Sequence, residues 1–234
     1  MVKLRNARLL KKDPVLVHHV PMTRPFSQET LAYMVARYPI VYLKPNDLQR
    51  SRGVLRLDRY RVSTKFTSYK HANSAATYRR VKRLKLPRSY VVQQGIKSVT
   101  KYQQPFDIRV HIVRVQGTWY TVGAVVRIAP KGMITTDCDR STAHTVTDLC
   151  RNYLGYTIFQ TRSIRRSLVK IATRVGMLMT RRRPRHTEYG IDVGIDSHRH
   201  LWIYEVNSLP AAVVLRSLSE NLYYRLLAMR RQAS

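Results

Sequence analysis

The sequence predicts an α+β or α/β fold, because runs with strand periodicity and runs with helical periodicity alternate in irregular order along its 234 residues. Two long runs of alternating apolar residues, 106–115 and 118–128, are joined by Gln116-Gly117, a pair typical of a β-hairpin turn. Residues 161–180 carry apolar side chains three or four positions apart, which predicts a helix with one buried face. A chain of this length suits one large domain or two small lobes.

The elements before the long hairpin are shorter, and their bounds depend on caps and breakers. Ser27 is predicted to cap a helix that Pro39 ends, and Gly95 is predicted to end a strand. In chain order, the expected elements are a helix at 27–38, a strand at 40–43, a loop at 44–53, strands at 54–57 and 60–66, a basic helix at 71–84 and a strand at 89–96.

The charge balance is strongly positive, since 43 Lys and Arg against 13 Asp and Glu give a net charge of +30. Solubility does not require so large an excess, which predicts a polyanionic partner: nucleotide phosphate, nucleic acid, an acidic polymer or an anionic surface. The run TRRRPRH at 180–186 is either a solvated loop or an anion-contacting loop. Residues 77–90 interleave tyrosines with cations as a nucleic-acid surface does, although no nucleic-acid-binding motif accompanies them.

The cysteines and the apolar runs indicate a cytoplasmic protein. Cys138 and Cys150 form neither a CxxC motif nor a Cys/His metal spacing, so a reducing compartment is expected. No apolar run approaches the roughly 18 residues of a membrane helix, and residues 1–12 lack the apolar stretch of a secretory signal. Because the N-terminus is Arg-rich and has no acid before Asp13, a transit peptide is the alternative.

Acidic residues are concentrated near the C-terminal end of this basic chain. Glu188, Asp192, Asp196 and Glu205 are four of the 13 acidic residues, and they fall within eighteen positions. If residues 197–200 form a turn, the antiparallel ladder pairs 196 with 201, 194 with 203 and 192 with 205. Asp192 then faces Glu205 at a Cβ separation of about 4.5–5.5 Å, where like charges are destabilising.

One face of this hairpin is therefore predicted to be a site, and the other a core. Asn207 shares a face with Glu205, beside Gly190 and Gly194, which leave room. Two carboxylates and an amide oxygen are ligands that suit Mg²⁺, which usually binds one or two carboxylates plus substrate phosphates. The alternative is that the carboxylates pair with the abundant arginines. The apolar reverse face is predicted to comprise Ile191, Val193, Ile195, Trp202, Tyr204 and Val206.

The spacing D-x12-E-x-N of Asp192, Glu205 and Asn207 resembles the end of the ATP-grasp fold, which D-alanine–D-alanine ligase and glutathione synthetase share. The closer resemblance is to the endospore coat-associated YheC/YheD group of ATP-grasp proteins. The stretches that carry it, in family order, are YPIVYLKPN, YVVQQGI, PFDIRVHIV, EYGIDVGID and IYEVNSLP. Together they cover most of residues 27–210.

The resemblance implies a role for each matching residue. Asp192, Glu205 and Asn207 would hold two Mg²⁺ ions. The residues implied to contact ATP are Lys3 and Lys44, the adenine-reading hinge Gln94, Gly95 and Ile96, and the ribose-contacting Asp107. Arg109 and Arg127 match catalytic arginines that face the γ-phosphate and the acyl-phosphate intermediate.

The chain also departs from the family pattern. Relatives cover the phosphates with a loop resembling N-x-G-S-x-G-x-G, whereas NDLQRSRG here keeps Gly53 alone, and Arg50 and Arg52 are expected to replace backbone amides with charge. TTDCDRSTAH replaces a segment resembling T-N-x-x-x-G-G. Gly190 stands where D-alanine–D-alanine ligase has an arginine.

The resemblance implies an α+β ATP-grasp module of two lobes with the nucleotide between them. We expect an N-terminal segment at 1–25, a small lobe at 26–96 and a large lobe at 97–234, without the domain that precedes the module in relatives. The implied activity is ATP- and Mg²⁺-dependent ligation of an acidic carboxylate substrate to an amine. The alternative is a weak or inactive relative that acts as a basic spore-coat scaffold or binds a polyanion such as nucleic acid. The expected location is the cytoplasm, with spore association as a further implication of the resemblance.

Overall fold

The computed structural model describes residues 3–48, 51–137, 140–208 and 210–233. Within these ranges the helices are α1 (Lys3–Leu10), α2 (Gln28–Arg37), α3 (Ser74–Leu84), α4 (Val146–Asp148), α5 (Ile158–Arg182), α6 (Val213–Arg216) and α7 (Glu220–Arg231), with a 3₁₀ helix at Leu16–His19 and a π-helical turn at Leu149–Tyr153. The strands are β1 (Thr23–Pro25), β2 (Ile40–Pro45), β3 (Leu55–Asp58), β4 (Arg61–Ser63), β5 (Ser68–Lys70), β6 (Tyr90–Gln94), β7 (Phe106–Val115), β8 (Thr118–Ile128), β9 (Thr142–His144), β10 (Glu188–Ile195) and β11 (Leu201–Asn207).

The strands form two antiparallel sheets. The order of the first is β1-β6-β2-β3-β4-β5, and the order of the second is β11-β10-β7-β8-β9. The second sheet is built around the long β7–β8 hairpin, whose strands have the predicted bounds. Gln116 and Gly117 both have positive φ, 47° and 79°, as a two-residue type I′ turn requires.

Side-chain caps fix where the predicted helices begin. Ser27 Oγ accepts a hydrogen bond from Thr30 N at 3.0 Å, so α2 begins where the sequence predicted. The basic helix α3 begins at Ser74 rather than at 71, because Asn73 is its cap. Thr157 and Gln160 form a capping box for α5, which is therefore longer at its start than the predicted helix at 161–180.

One predicted strand is wrong. Residues 60–66 do not form a single strand: Tyr60 lies in the turn before β4, 61–63 form β4, and 64–66 belong to the turn that leads into β5. Thr64 makes that turn, because its hydroxyl accepts hydrogen bonds from Phe66 N at 3.1 Å and Thr67 N at 2.9 Å. The helices α1 and α7 were not predicted at all.

The main core lies between one face of the second sheet and α5. Its members include Ile108 and Val110 of β7 and Ile164, Leu168 and Val175 of α5. A second core packs α2 and α3 on the first sheet, and a third packs α6 and α7 on the opposite face of the second sheet. Cys150 is buried and free of a disulfide, and Cys138 lies outside the described residues. In the described part of the chain, no helix combines the length and apolar content of a membrane span.

Candidate functional site

A cleft of about 570 Å³ lies between the two sheets. Of the eleven predicted site residues, Gly95 alone is not among those lining it. The ten that line it come from α1, from both sheets and from the connection after β6: Lys3, Lys44, Gln94, Ile96, Asp107, Arg109, Arg127, Asp192, Glu205 and Asn207. The volume falls in the range of small-molecule sites.

The acidic hairpin has the predicted register at its open end and a different register near its turn. Asp192 pairs with Glu205, as predicted. The pairs 194–203 and 196–201 are wrong, because a β-bulge leaves Gly194 opposite Trp202 and Ile195 opposite Leu201. Period-two alternation cannot reveal such an extra residue from sequence.

The bulge turns Tyr204 toward the cleft, whereas the sequence placed it in the core. Tyr204 lines the cleft and its hydroxyl is 2.6 Å from Ser98 Oγ, while Ile203 is buried in the main core instead. A Cβ at Gly194 would overlap the Tyr204 hydroxyl, and one at Gly190 would lie 2.7 Å from Pro210 Cβ. The two glycines therefore make room for protein side chains rather than for a ligand.

Two arginine–carboxylate pairs occupy the floor of the cleft. Arg109 donates two hydrogen bonds to Asp192, at 2.5 and 3.0 Å, and Arg127 donates two to Asp107, at 2.9 and 2.5 Å. Arg127 Nη2 is also 3.6 Å from Asp192. Burial would raise the pKa of the Asp192 carboxyl, but the charges of Arg109 and Arg127 outweigh it and hold that pKa below its usual value. Pairing with arginine, the alternative left open by the sequence, is thus realised for Asp192 in this structure.

Two lysines lie above these pairs. Lys3 Nζ contacts Glu205 Oε1 at 2.7 Å and Leu48 O at 2.6 Å, so the N-terminal helix is tied to β11. Lys44 Nζ donates to Gln93 Oε1 at 2.6 Å and lies 5.6 and 5.7 Å from the ring centroids of Tyr42 and Tyr204.

The Lys44 side chain is half-buried, with Gln93 and two tyrosine rings around its ammonium. Burial lowers its pKa to about 8, against the opposing effect of the Glu205 charge. A negative charge placed near such a lysine stabilises its protonated form, so the position suits an anionic ligand.

The predicted hinge uses its backbone amides within the protein. Gln94 N donates to Met22 O and Gly95 N donates to Ile40 O, each at 2.8 Å. A Cβ at Gly95 would lie 2.8 Å from Ile40 O, so this glycine serves close approach of the chain to β2.

The one glycine in the loop predicted to cover the phosphates also has a structural role. Gly53 has φ of 69°, and a Cβ there would lie 2.8 Å from both Leu86 Cδ1 and Tyr90 Oη. Arg52 lines the cleft, whereas Arg50 lies outside the described residues. The described part of this loop therefore offers a guanidinium, and its glycine is required for packing.

The donor chemistry at the hairpin fits Mg²⁺. Asp192, Glu205 and Asn207 all line the cleft, with Asp192 directly opposite Glu205, and two carboxylates plus phosphate oxygens are a usual Mg²⁺ set. Among the described residues no three His, Cys, Asp or Glu side chains form a metal cluster by themselves, so phosphate oxygens would have to complete the site. Each carboxylate now holds a cation of the protein, Arg109 or Lys3, and metal binding would replace that contact.

Several cleft residues were missed by sequence reasoning. Tyr42 and Gln93 contact the Lys44 ammonium, and Ser98 contacts Tyr204. Strand alternation could have found Tyr42, which shares a face of β2 with Lys44. Nothing in the sequence pairs Ser98 with Tyr204, because they are brought together by tertiary packing.

The chain matches, over residues 1–230, the family model described as YheC/D like ATP-grasp. It is 26% identical over 219 residues to the endospore coat-associated protein YheD of Bacillus subtilis strain 168, covering 87% of this chain and 47% of that protein. The chain thus spans about half the length of this curated relative.

Several solved structures, ATP-grasp ligases among them, resemble this chain in fold. The chain resembles the D-cycloserine synthetase DcsG with a TM-score of 0.58 at 12% identity, over 98% of this chain and 71% of that one. It resembles the D-alanine–D-alanine ligase of Coxiella burnetii with a TM-score of 0.57 at 12% identity, over 98% and 56%. The ATP-grasp ligase PsnB, complexed with a precursor peptide and AMPPNP, gives 0.55 at 14% identity, over 99% and 59%.

Proposed function

This chain belongs to the YheC/D-like ATP-grasp family, and we propose that it is an ATP- and Mg²⁺-dependent ligase that joins a carboxylate to an amine through an acyl-phosphate intermediate. The family and the α+β ATP-grasp fold predicted from the sequence are confirmed. The lobe boundaries at 26–96 and 97–234 stay predictions, and β6 ends at Gln94 while β7 begins at Phe106.

The observation that carries the proposal is that residues far apart in the sequence line the same cleft. Lys3 and Asn207 are separated by most of the chain, yet both line one cleft with Lys44, Arg109 and Arg127. Spatial clustering of cations and carboxylates at a two-sheet cleft is what binding of a metal-bound polyphosphate requires.

In the proposed nucleotide complex, phosphate oxygens replace protein partners. Lys3 and Lys44 would contact the phosphates, and the hinge at 94–96 would contact adenine. Asp107 would contact the ribose while it holds Arg127. Asp192, Glu205 and Asn207 would hold Mg²⁺, which supplies charge neutralisation at the phosphates when bound. Arg52 takes the place of loop amides at the phosphates.

The proposed reaction has two steps. A carboxylate oxygen of the substrate attacks the γ-phosphorus, the bond from that phosphorus to the β-γ bridging oxygen breaks, and ADP leaves. An amine nitrogen then attacks the acyl carbon, inorganic phosphate leaves and the nitrogen loses a proton. Arg109 and Arg127, which line the cleft, would offset the negative charge that develops on the transferred phosphoryl group.

The second candidate is a noncatalytic basic scaffold, with the spore coat, where the relative YheD is named as associated, as its setting. The phosphate loop favours it, because Gly53 is committed to packing rather than to an amide cradle. The cytoplasmic location and the acidic nature of the substrates remain predictions.

Replacing Lys44 with Met is expected to weaken Mg-ATP binding about tenfold or more, because a desolvated, charge-assisted contact to phosphate is lost. In the wild type, affinity should also fall above about pH 8, where Lys44 loses its proton, and this dependence should be absent from the variant. Calorimetric titration with ATP and Mg²⁺ measures both. Lys12, an exposed lysine, gives the matched control Lys12→Met. Equal affinity for Mg-ATP in wild type and Lys44→Met would show that Lys44 does not contact the nucleotide.

Catalysis is tested by turnover. Purified protein is incubated with Mg-ATP and a set of amino acids and acidic peptides, and ADP release is followed. We expect ADP release that depends on a carboxylate, and a hydroxamate when hydroxylamine replaces the amine. Calorimetric ATP binding without carboxylate-dependent ADP release from any member of the set would favour the scaffold.

A further inference from the structure

The positive charge of the chain lies almost entirely outside the cleft. Among the residues that the structure describes, five cations line the cleft, Lys3, Lys44, Arg52, Arg109 and Arg127, against four carboxylates, Asp107, Asp137, Asp192 and Glu205. Their sum is one positive charge, whereas the chain carries +30. Nucleotide binding therefore does not account for the excess, most of which lies on other surfaces.

The outward face of α5 concentrates this charge. Residues 149–187 contain nine Arg and one Lys, and no Asp or Glu. One face of α5 is buried in the main core, and the opposite face exposes Arg162, Arg165, Arg166, Lys170 and Arg181. In the described part of the chain, none of these five cations has an acidic partner, whereas Arg174 on the flank is bound to Asp13 at 2.7 Å.

Apolar side chains are set among these cations. Phe159 is 75% exposed and Met177 is 59% exposed, and both lie on the same outward side as Arg166. Protein interfaces are enriched in Phe, Met and Arg and depleted in Lys, so Phe and Met side chains exposed among arginines match the composition of an interface.

A groove of about 460 Å³ adjoins this face where α5 meets the turn of the acidic hairpin. Phe159, Ser163 and Ser167 line its α5 side. On the other side His19 and His200 stack with ring centroids 4.8 Å apart, and Arg199 adds a charge. The groove thus combines a flat ring wall, hydroxyls and a guanidinium beside an exposed phenyl ring.

The stacked rings are fixed by backbone contacts. His19 Nδ1 lies 2.8 Å from Leu201 O, and His200 Nε2 lies 2.8 Å from His18 O. A carbonyl oxygen only accepts, so these nitrogens donate, and the Ser163 and Ser167 hydroxyls of the facing wall can both donate and accept. A peptide backbone presents both donors and acceptors, which this groove can meet.

We infer that the outward face of α5 and the adjoining groove bind an acidic polypeptide segment that carries a bulky apolar side chain. Carboxylates of the segment pair bidentately with the guanidinium groups of Arg162, Arg166 and Arg181. The Lys170 ammonium adds a further positive charge to this face. The apolar side chain packs against Phe159 in the groove.

Other occupants fit less well. A second copy of this chain would bring a like-charged surface against α5. A bilayer would find apolar side chains too far apart, because Phe159 and Met177 are separated by about 27 Å of helix. A single-stranded nucleic acid needs rings spaced along its path for base stacking, whereas the rings here, Phe159, His19 and His200, are confined to the groove. The surface lies on the opposite side of the second sheet from the cleft, so the inference is independent of the ATP site.

The test is fluorescence polarisation with a labelled peptide of alternating Glu and Leu. The double variant Arg166→Glu, Lys170→Glu is expected to weaken binding about tenfold or more. The matched control, Arg79→Glu with Lys82→Glu on α3, changes the net charge equally and should stay within about twofold of wild type. Phe159→Ser should cost about threefold or more. Arg166→Gln with Lys170→Gln serves if the glutamate variant does not fold.

Three results would overturn the inference. Equal losses in the two double variants would show that only net charge matters. Unchanged peptide binding by the Phe159→Ser variant would show that the groove is not part of the binding surface. Displacement of the peptide by oligothymidylate, or by vesicles containing phosphatidylglycerol, at lower charge concentration than by unlabelled peptide would assign the surface to nucleic acid or membrane instead.

Discussion

Replacing Asp192 with Asn is expected to destabilise the nucleotide-free protein by about 3–5 kcal/mol. The side chains of Asp192 and Arg109 are only 12% and 11% exposed, and two hydrogen bonds join them. Asn keeps the shape but removes the negative charge, so Arg109 is left buried without its counter-ion. Breaking a buried pair costs far more than breaking an exposed one. Urea unfolding without nucleotide measures the difference.

A pair whose acid is exposed provides the matched control. Asp58 is 52% exposed on its side chain and lies 3.8 Å from Arg56, so Asp58→Asn should change the free energy of unfolding by no more than about 0.5 kcal/mol. Equal effects of the two substitutions would contradict the buried ion pair.

The pH dependence of the Asp192→Asn effect follows from the lowered pKa of the Asp192 carboxyl. A carboxyl whose folded pKa lies below its unfolded value of about 3.9 stabilises the fold above that unfolded value. The contribution is lost as the pH falls through the folded pKa. The difference in the free energy of unfolding between wild type and Asp192→Asn should therefore be largest near pH 7 and decrease at acidic pH.

Much of the cleft could be predicted from local pattern. The opposition of Asp192 and Glu205 follows from hairpin alternation, and the β7–β8 bounds follow from a two-residue turn. Lys44 was found through its resemblance to the family's strand-end lysine. The two hairpin features depend on short-range geometry, which the periodicity of the sequence predicts well.

The rest depends on contacts between distant residues. The bulge at Tyr204 turns Tyr204 and Trp202 off the apolar reverse face without a glycine signal, and Ile203 and Leu201 are buried in the core in their place. The other members of that face are buried in the main core as predicted: Ile191, Val193, Ile195 and Val206. The partners of the acids, Arg109 for Asp192 and Lys3 for Glu205, are set by packing of β7 and α1 on the hairpin. The sequence alone treated Asp192 and Glu205 as repelling one another, whereas each is neutralised separately.

That neutralisation changes what Glu205→Gln should do to the apo protein. No like-charge repulsion is relieved, and Lys3 exchanges a charged acceptor for a neutral one. A charge-assisted hydrogen bond becomes an ordinary one, so we expect a modest loss of about 1–2 kcal/mol in the apo protein. The protein should remain folded, because Gln retains an acceptor oxygen for Lys3.

The larger effect of Glu205→Gln is expected with ligand. At a Mg-ATP concentration about 100 times Kd, binding stabilises the wild type by about 2.7 kcal/mol, which corresponds to about 5–10 °C in Tm for a chain of this size. The variant lacks one carboxylate of the two-carboxylate Mg²⁺ site, so most of this shift should be lost.

The most direct measurement is the melting temperature of wild type, Glu205→Gln and Asp58→Asn, each with and without Mg-ATP, and each with ATP plus EDTA. We predict a large Mg-dependent shift in the wild type and in Asp58→Asn, and little or none in Glu205→Gln. Equal shifts in all three proteins would contradict the assignment of Mg²⁺ to the hairpin, and no shift in the wild type would contradict the ATP site itself.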